Sequence, residues 1–417
     1  MSPTMWSAEQ DAPSISPASC VFTDDTATTQ LRGATGVQHS IAWLASHSDA
    51  ERRSGSRVAT LVGLGFDAPE VAWFKIARQR ATTRRVQRAM AASLVAQGRD
   101  PDKDLCPLDV KARVRDAMDA ARARERTVVH SAEGRRRARL DVDLGETNRA
   151  VAKGTATERT ISQRVSVDLA TTIFPGGVYS HVDFPHRLAS LDGELVLSRA
   201  DGSGTDRAIA EFKSLWRPPH HNPAHGLPDL TPRASYIVQC TWNLEVLGAG
   251  RPGGPAAAIL GVGYIDDDKW VDESNRADVM AWRSRQASLG LPATQVRVWT
   301  LFPDPELMGA IHSLLQELDA VIDALLSRGV SITPELLKPW VHGAINAEPR
   351  NTVLKLGTTY NGLWCVGLSH QWRRGPYLLE SIGEDLPDGM SPSPAGPGAM
   401  SSPPIRAGSL LSRAFSR

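Results

Sequence analysis

Residues 188–219 read LASLDGELVLSRADGSGTDRAIAEFKSLWRPP, and after a loop rich in His and Pro residues 233–248 read RASYIVQCTWNLEVLG. Two Val/Leu-rich runs, Val178 to Phe184 and Leu188 to Leu197, have strand composition. The link from Arg199 to Asp206, with Gly202 and Gly204, makes the turn of a hairpin, and Ala208 to Phe212 is then a central strand. A helix follows, on which Tyr236, Gln239, Asn243 and Leu247 share one face by i, i+3 and i+4 spacing while Val238, Trp242 and Val246 form an apolar one. One acid, Asp192, punctuates the run from Leu188 to Leu197, and Glu211-Phe212-Lys213 ends the central strand.

That order suits hydrolysis of a phosphodiester with a bound divalent ion. Such chemistry needs carboxylates to hold one or two ions and a positive group to orient water and offset developing charge. Side chains alternate along a strand, so Glu211 and Lys213 point the same way. Phe212 turns into the core and leaves its carbonyl available to a metal. Asp192 and Glu211 are the expected ligands, Lys213 the expected cation, and hard oxygen donors favour Mg²⁺ or Mn²⁺ over Zn²⁺. Each piece alone is ordinary: an E-x-K triplet sits on many solvated strands, and Asp-Gly is by default a turn. The succession strand, Asp-Gly, strand, Glu-Phe-Lys, loop and Gln-bearing helix is what carries the reading.

The same blocks resemble the YqaJ-type viral recombinase family, the phage lambda exonuclease-like branch of the PD-(D/E)XK nucleases. The resemblance lies in GTATE (Gly154 to Glu158), SLDG (Ser190 to Gly193), EFK (Glu211 to Lys213) and YIVQCTWNLEVLG (Tyr236 to Gly248). Upstream, SGSRVATLVGLGFDAPEVAWFKIA (Ser54 to Ala77) is similar to the family's opening segment. It implies an α/β restriction-endonuclease-like core, a mixed sheet flanked by helices, with a helical N-terminal elaboration. It further implies Glu158 as an outer metal-site carboxylate, Asp192, Glu211 and the Phe212 carbonyl as metal ligands, Lys213 as the water-orienting cation and Gln239 as a polar contact beside them. Around these, Arg52, Arg53, Ser56, Arg149, Lys153 and Tyr236 are the candidate DNA contacts. The activity implied is Mg²⁺-dependent digestion of one strand of duplex DNA from the 5′ end in phage-type recombination, with a single-strand annealing protein as partner and a homotrimer as assembly. The sequence departs from the family at Leu191, where proline is usual, and at the 5′-phosphate-binding Arg, for which Arg52 and Arg53 stand too close to Ser56. A restriction- or repair-type endonuclease on the same core, and a non-catalytic DNA-binding module, stay open.

The rest of the chain bounds these readings. At 417 residues, with a formal net charge of +1, it has no global attraction to nucleic acid, so local clustering must supply it. Arg78 to Arg139 holds fifteen Arg and two Lys against eight acids, an excess of nine positive charges. Long Ala/Arg runs such as Val110 to Arg126 favour helix. The segment is either a solvated helical face or an arm on the DNA backbone, with Arg135 to Arg137 its most exposed cluster. Four scattered cysteines, Cys20, Cys106, Cys240 and Cys365, suit a reducing cytosol. With no membrane-length apolar run and no basic-then-apolar leader, a soluble cytoplasmic protein without membrane contact is expected.

In order, residues 1–35 read as a mobile segment and 36–328 as the nuclease domain, with the Arg-rich insertion at about 78–145. Residues 329–383 read as a small extension and 384–417 as a disordered Pro/Ser/Gly tail. Helices are expected at Val37 to Ala45, Val58 to Leu64, Pro69 to Arg80, Glu146 to Val167 and Pro305 to Leu326. Strands are expected at Ala256 to Ile265 and Gln295 to Phe302. Val353 to Leu356 and Leu363 to Leu368 are expected to form a small hairpin. The prolines around His220, His221 and His225 argue for a flexible, DNA-facing flap rather than a zinc site, and Asp266 to Asp268 reads as a strand-ending turn rather than a metal site.

Overall fold

The computed structural model describes residues 28–30, 52–65, 67–132, 137–181, 183–198, 204–223, 226–358 and 364–365. In chain order these form β1 (Thr28–Gln30), α1 (Gly55–Leu61), α2 (Pro69–Ala96), α3 (Pro101–Asp104), α4 (Pro107–Ala132) and α5 (Arg137–Asp168). The short strands β2 (Phe174–Pro175), β3 (Val178–His181) and β4 (Leu188–Ser190) follow, then β5 (Gly193–Ser198), β6 (Thr205–Ser214), α6 (Ala234–Val246) and β7 (Ala257–Tyr264). Last come α7 (Arg276–Ser288), β8 (Gln295–Leu301), α8 (Pro305–Ser327), α9 (Pro334–Asn346), α10 (Arg350–Gly357) and β9 (Trp364–Cys365).

Six strands make the main sheet, in the order β2-β5-β6-β7-β8-β9. β5 and β6 form an antiparallel hairpin, β6 and β7 run parallel, and β8 returns antiparallel to β7. A parallel neighbour cannot be reached by a tight turn, so the chain crosses over through α6, which lies between β6 and β7 in sequence. The fold is therefore α/β with a mixed sheet between helices.

Alternation along β6 and β7 divides the interior in two. Ile209, Ala258, Leu260 and Val262 join the core built with α1, α2, α6, α8 and α9. Ala208, Ala210, Phe212, Ala257 and Ile259 pack with Ile161 and Val165 of α5, and with Leu169 just past its end, on the other face. α5 can lie that close because β7 carries glycine beneath it. A Cβ on Gly261 would stand 2.9 Å from a Val165 methyl and 3.0 Å from the Phe212 ring, and one on Gly263 3.2 Å from Ile161. Helix α6 is tied at its middle, where the buried Trp242 Nε1 donates to the carbonyls of Arg53 (3.0 Å) and Leu188 (3.1 Å).

Several expectations change. The run from Leu188 to Leu197 is two strands, not one: β4 belongs to a three-stranded sheet with β3 and β1, β5 to the main sheet, and the chain breaks at Leu191-Asp192. The break fits tightly, since a Cβ on Gly176 would stand 2.2 Å from the Leu191 carbonyl oxygen. Val353 to Leu356 is helical, inside α10, where Leu354 is buried and Gly357 meets Leu307 of α8; the hairpin expected there is absent. Of its second strand, only Trp364–Cys365 is described, paired with β8. Helices α2 and α5 are longer than their expected spans, running to Ala96 and starting at Arg137. The helix at Val37 to Ala45, Arg135 and Arg136, the expected turn residues 199–203, His225 and the tail from 384 lie outside the described residues. No described helix is long and apolar enough to cross a membrane.

Candidate active site

Asp192 sits where β4 gives way to β5, and its Oδ2 accepts the backbone N–H of Phe212 at 2.6 Å. That bond fastens the turn to the end of β6. One residue on either side of Phe212, Glu211 and Lys213 share the opposite strand face, while Phe212 is buried under α5. Lys213 Nζ donates to Glu211 Oε1, and Gln239 Nε2 donates to the same oxygen at 2.5 Å. Gln239 is brought there by the close approach of α1 to α6: a Cβ on Gly55 would meet its Cγ and its backbone oxygen at 2.8 Å. Small residues at such contacts let two helices approach closely enough to aim a side chain across the gap.

The charges do not balance. Glu211 is 2 % exposed, and its Oε2 has no hydrogen-bond partner among the described residues. Burial pushes its carboxyl up to about 8, with Asp192 adding to the rise and Lys213 opposing it. On α5, burial followed by Asp192 raises Glu158 to about 7, again against Lys213. Burial would lower Lys213, but Glu211 and Asp192 outweigh it and hold the ammonium above its ordinary value. Three carboxylates thus share one field with one lysine. Among the described residues, no group of three or more His, Cys, Asp or Glu stands close enough to form a ready-made metal cage. In this arrangement Glu211 Oε1 is occupied by Lys213 and Gln239.

A cleft of about 800 Å³ opens beside these groups, lined by Ser56, Thr60, Lys213, Trp216, Tyr236 and Gln239, among others. The other candidates fall in different places. Ser56 is exposed at the cleft, and Tyr236 has its ring centre 5.8 Å from Lys213 Nζ. Arg149 pairs with Asp272 at 2.6 Å and remains 45 % exposed. Lys153, expected within phosphate reach, is buried instead: its Nζ donates to the Trp216 carbonyl at 3.3 Å and stands 4.2 Å from the Tyr264 ring centre. Arg53 is also buried, in an ion pair with Asp319, and does not line the cleft. Arg52 is half-buried and lies outside that lining too.

Two side features resolve as structure. Asp266 and Asp268 both pair with Arg283, and Asp267 caps a short 3-10 turn, as expected of a strand end. His221 stacks against Trp282 at 5.3 Å between ring centres and shares a 2.8 Å hydrogen bond with Gln286. The sequence does not single out Trp216, Ser214 or Ser235 as cleft wall. The available signal is proximity: Ser214 and Trp216 follow Lys213 by one and three residues, and Ser235 precedes Tyr236.

No family model matches the chain, and no curated protein does. Among solved structures it is similar to an alkaline exonuclease from Laribacter hongkongensis, with a TM-score of 0.32 and 13% identity over 68% of this chain and 95% of that one. The structure of that exonuclease in complex with dAMP gives 0.32 and 14% over 67% and 94%.

Proposed function

We propose that the chain is a DNA nuclease that hydrolyses phosphodiesters with the help of Mg²⁺ or Mn²⁺, acting on the ends of duplex DNA. The observation that carries this is Glu211: a buried carboxylate with one orphaned oxygen, facing Asp192 and sharing its single lysine. A fold that only needed stability would gain nothing from holding like charges together in a buried place. The group fits a hard dication in donor type and in charge, since Glu158, Asp192 and Glu211 offer only oxygens and, once ionised, exceed Lys213 by two negative charges. Asp192 and Glu211 would hold such an ion, with Glu158 as outer ligand and the Phe212 carbonyl as a further donor. When bound, the ion lowers the pKa of a coordinated water and offsets charge on the phosphate.

The remaining work belongs to this chain's own side chains. Lys213 orients the attacking water and, standing at the cleft, offsets negative charge on the phosphoryl oxygens. Gln239 fixes the Glu211 carboxylate in one rotamer. Ser56 and Tyr236 offer hydroxyl donors to the backbone of a strand lying in the cleft, and Arg149 a half-exposed guanidinium at its edge. The preference for ends over internal sites, the 5′-to-3′ direction, the recombination role, the annealing partner and the trimer rest on the sequence resemblance.

The test is digestion of end-labelled linear duplex and of covalently closed circular duplex, with Mg²⁺ and with excess EDTA. Nucleotide release from the linear form alone, abolished by EDTA and by Lys213→Ala, is the expected result. Cutting of the closed circle would favour the endonuclease on the same core. Cleavage that persists in EDTA would overturn the metal mechanism, and binding without cleavage would leave a DNA-binding module.

A further inference from the structure

We propose that Trp216 is the platform on which the base beside the scissile phosphate stacks. This rests on the nuclease reading above and adds a substrate-positioning residue to it. Trp216 follows Lys213 by three residues, at most about 10 Å of extended chain, and both line the same cleft. The cleft's other aromatic, Tyr236, is only 7 % exposed, whereas Trp216 is half-buried at the end of β6. Around them the wall carries Ser56, Thr60 and Ser235, each with a hydroxyl. That lining suits sugar and phosphate, and leaves the indole as the surface for an aromatic base.

The placement of the indole is held by an arrangement that a mere surface tryptophan would not need. Lys153 is 2 % exposed, donates to the Trp216 carbonyl, and has its Nζ 5.8 Å from the Trp216 ring centre and 4.2 Å from that of Tyr264. Burial lowers this lysine to about 8, with Asp266 and Asp267 opposing the fall. The Arg149 guanidinium stands 5.9 Å from the same indole and is itself fixed by Asp272. Two cations from α5 therefore position one ring at the mouth of the cleft. Burying an ammonium group is costly, so the fold spends stability on where this residue sits.

The experiment compares single-turnover cleavage of linear duplexes whose nucleotide at the scissile step is intact or abasic, for wild type, Trp216→Ala and Trp216→Phe. The abasic step should slow the wild type about tenfold through weaker binding, within what one stacked base contributes. Trp216→Ala should be slowed by a similar factor on the intact duplex and be indifferent to the abasic one. Trp216→Phe should recover most of the rate and the sensitivity. Equal wild-type rates on the two duplexes would overturn the platform while leaving the nuclease reading intact. So would a full abasic penalty retained by Trp216→Ala. If Trp216→Ala fails to fold, the wild-type comparison and Trp216→Phe decide. Absence of cleavage on either duplex by the wild type would overturn both readings together.

Discussion

Charge is handled in two different ways by the cleft and by the seam between α2 and α8. In the seam, Arg53, Asp319, Arg80, Asp323 and Arg84 alternate in sign: Arg80 bridges Asp319 at 2.8 Å and Asp323 at 3.4 Å, and Arg84 meets Asp323 at 2.8 Å. Each carboxylate there has two guanidinium neighbours. In the cleft, three carboxylates share one lysine, and the most buried of them has an orphaned oxygen. Paired charges of the first kind are what a fold keeps to join helices. Crowded charges of the second kind, where like outnumber unlike, are kept in spite of the fold, which is why they mark the place where chemistry is expected.

Substitutions should separate the two regions. The largest effect is expected from Lys213→Ala, which should lower cleavage by about a thousandfold or more, as loss of a charge-stabilising group does, with a near-native circular dichroism spectrum. Collapse of the fold in that variant would make Lys213 a structural cation like those of the seam. Asp319→Ala should do the reverse. It strands the buried Arg53, and because Asp319 is 23 % exposed the loss should be about 2 kcal/mol, below the figure for a fully buried pair. A lower urea midpoint with unchanged slope would show it, and cleavage in the cold should be retained.

Asp192→Asn should abolish cleavage yet stabilise the fold in EDTA by on the order of 1 kcal/mol, read as a higher urea midpoint. The amide oxygen still accepts from Phe212 N–H while the repulsion on Glu158 and Glu211 disappears. The pH dependence has a definite sign. Glu211 goes from an ordinary 4.5 to about 8 in the fold, so across that window the unfolded chain has lost a proton that the folded one keeps. Stability without divalent ions should therefore fall as pH rises from about 4.5 to 8. Cleavage should rise over the upper part of the same window as the carboxylates ionise. The smallest effect is expected from Arg84→Ala, since its side chain is 34 % exposed and its partner Asp323 49 %; less than about 0.5 kcal/mol should be lost.

What the sequence discloses follows from how local the determinant is. The i, i+2 alternation of a strand suffices to put Glu211 and Lys213 on one face and Phe212 on the other. Helical spacing suffices to separate Gln239 from Trp242 on α6. The break at Asp192 is not local: whether Leu188 to Leu197 is one strand or two depends on β3 and β6 recruiting its halves into different sheets, and on Gly176 closing over Leu191. Val353 to Leu356 likewise has strand composition but helical structure, because Leu354 and Gly357 are needed against α8. The burial of Lys153 and Arg53 was equally illegible, as each depends on partners far along the chain, Tyr264 for one and Asp319 for the other.

Helix α5 runs without interruption from Arg137 to Asp168 and carries Glu158 near its far end, roughly 30 Å from its start at 1.5 Å per residue. Its pivot is the pair of glycines on β7 over which Ile161 and Val165 ride. Mechanically it is a lever whose pivot lies three residues beyond Glu158, with 24 residues on the Arg137 side. Force applied at the Arg137 end would be delivered as a small tilt at an acid beside the cleft.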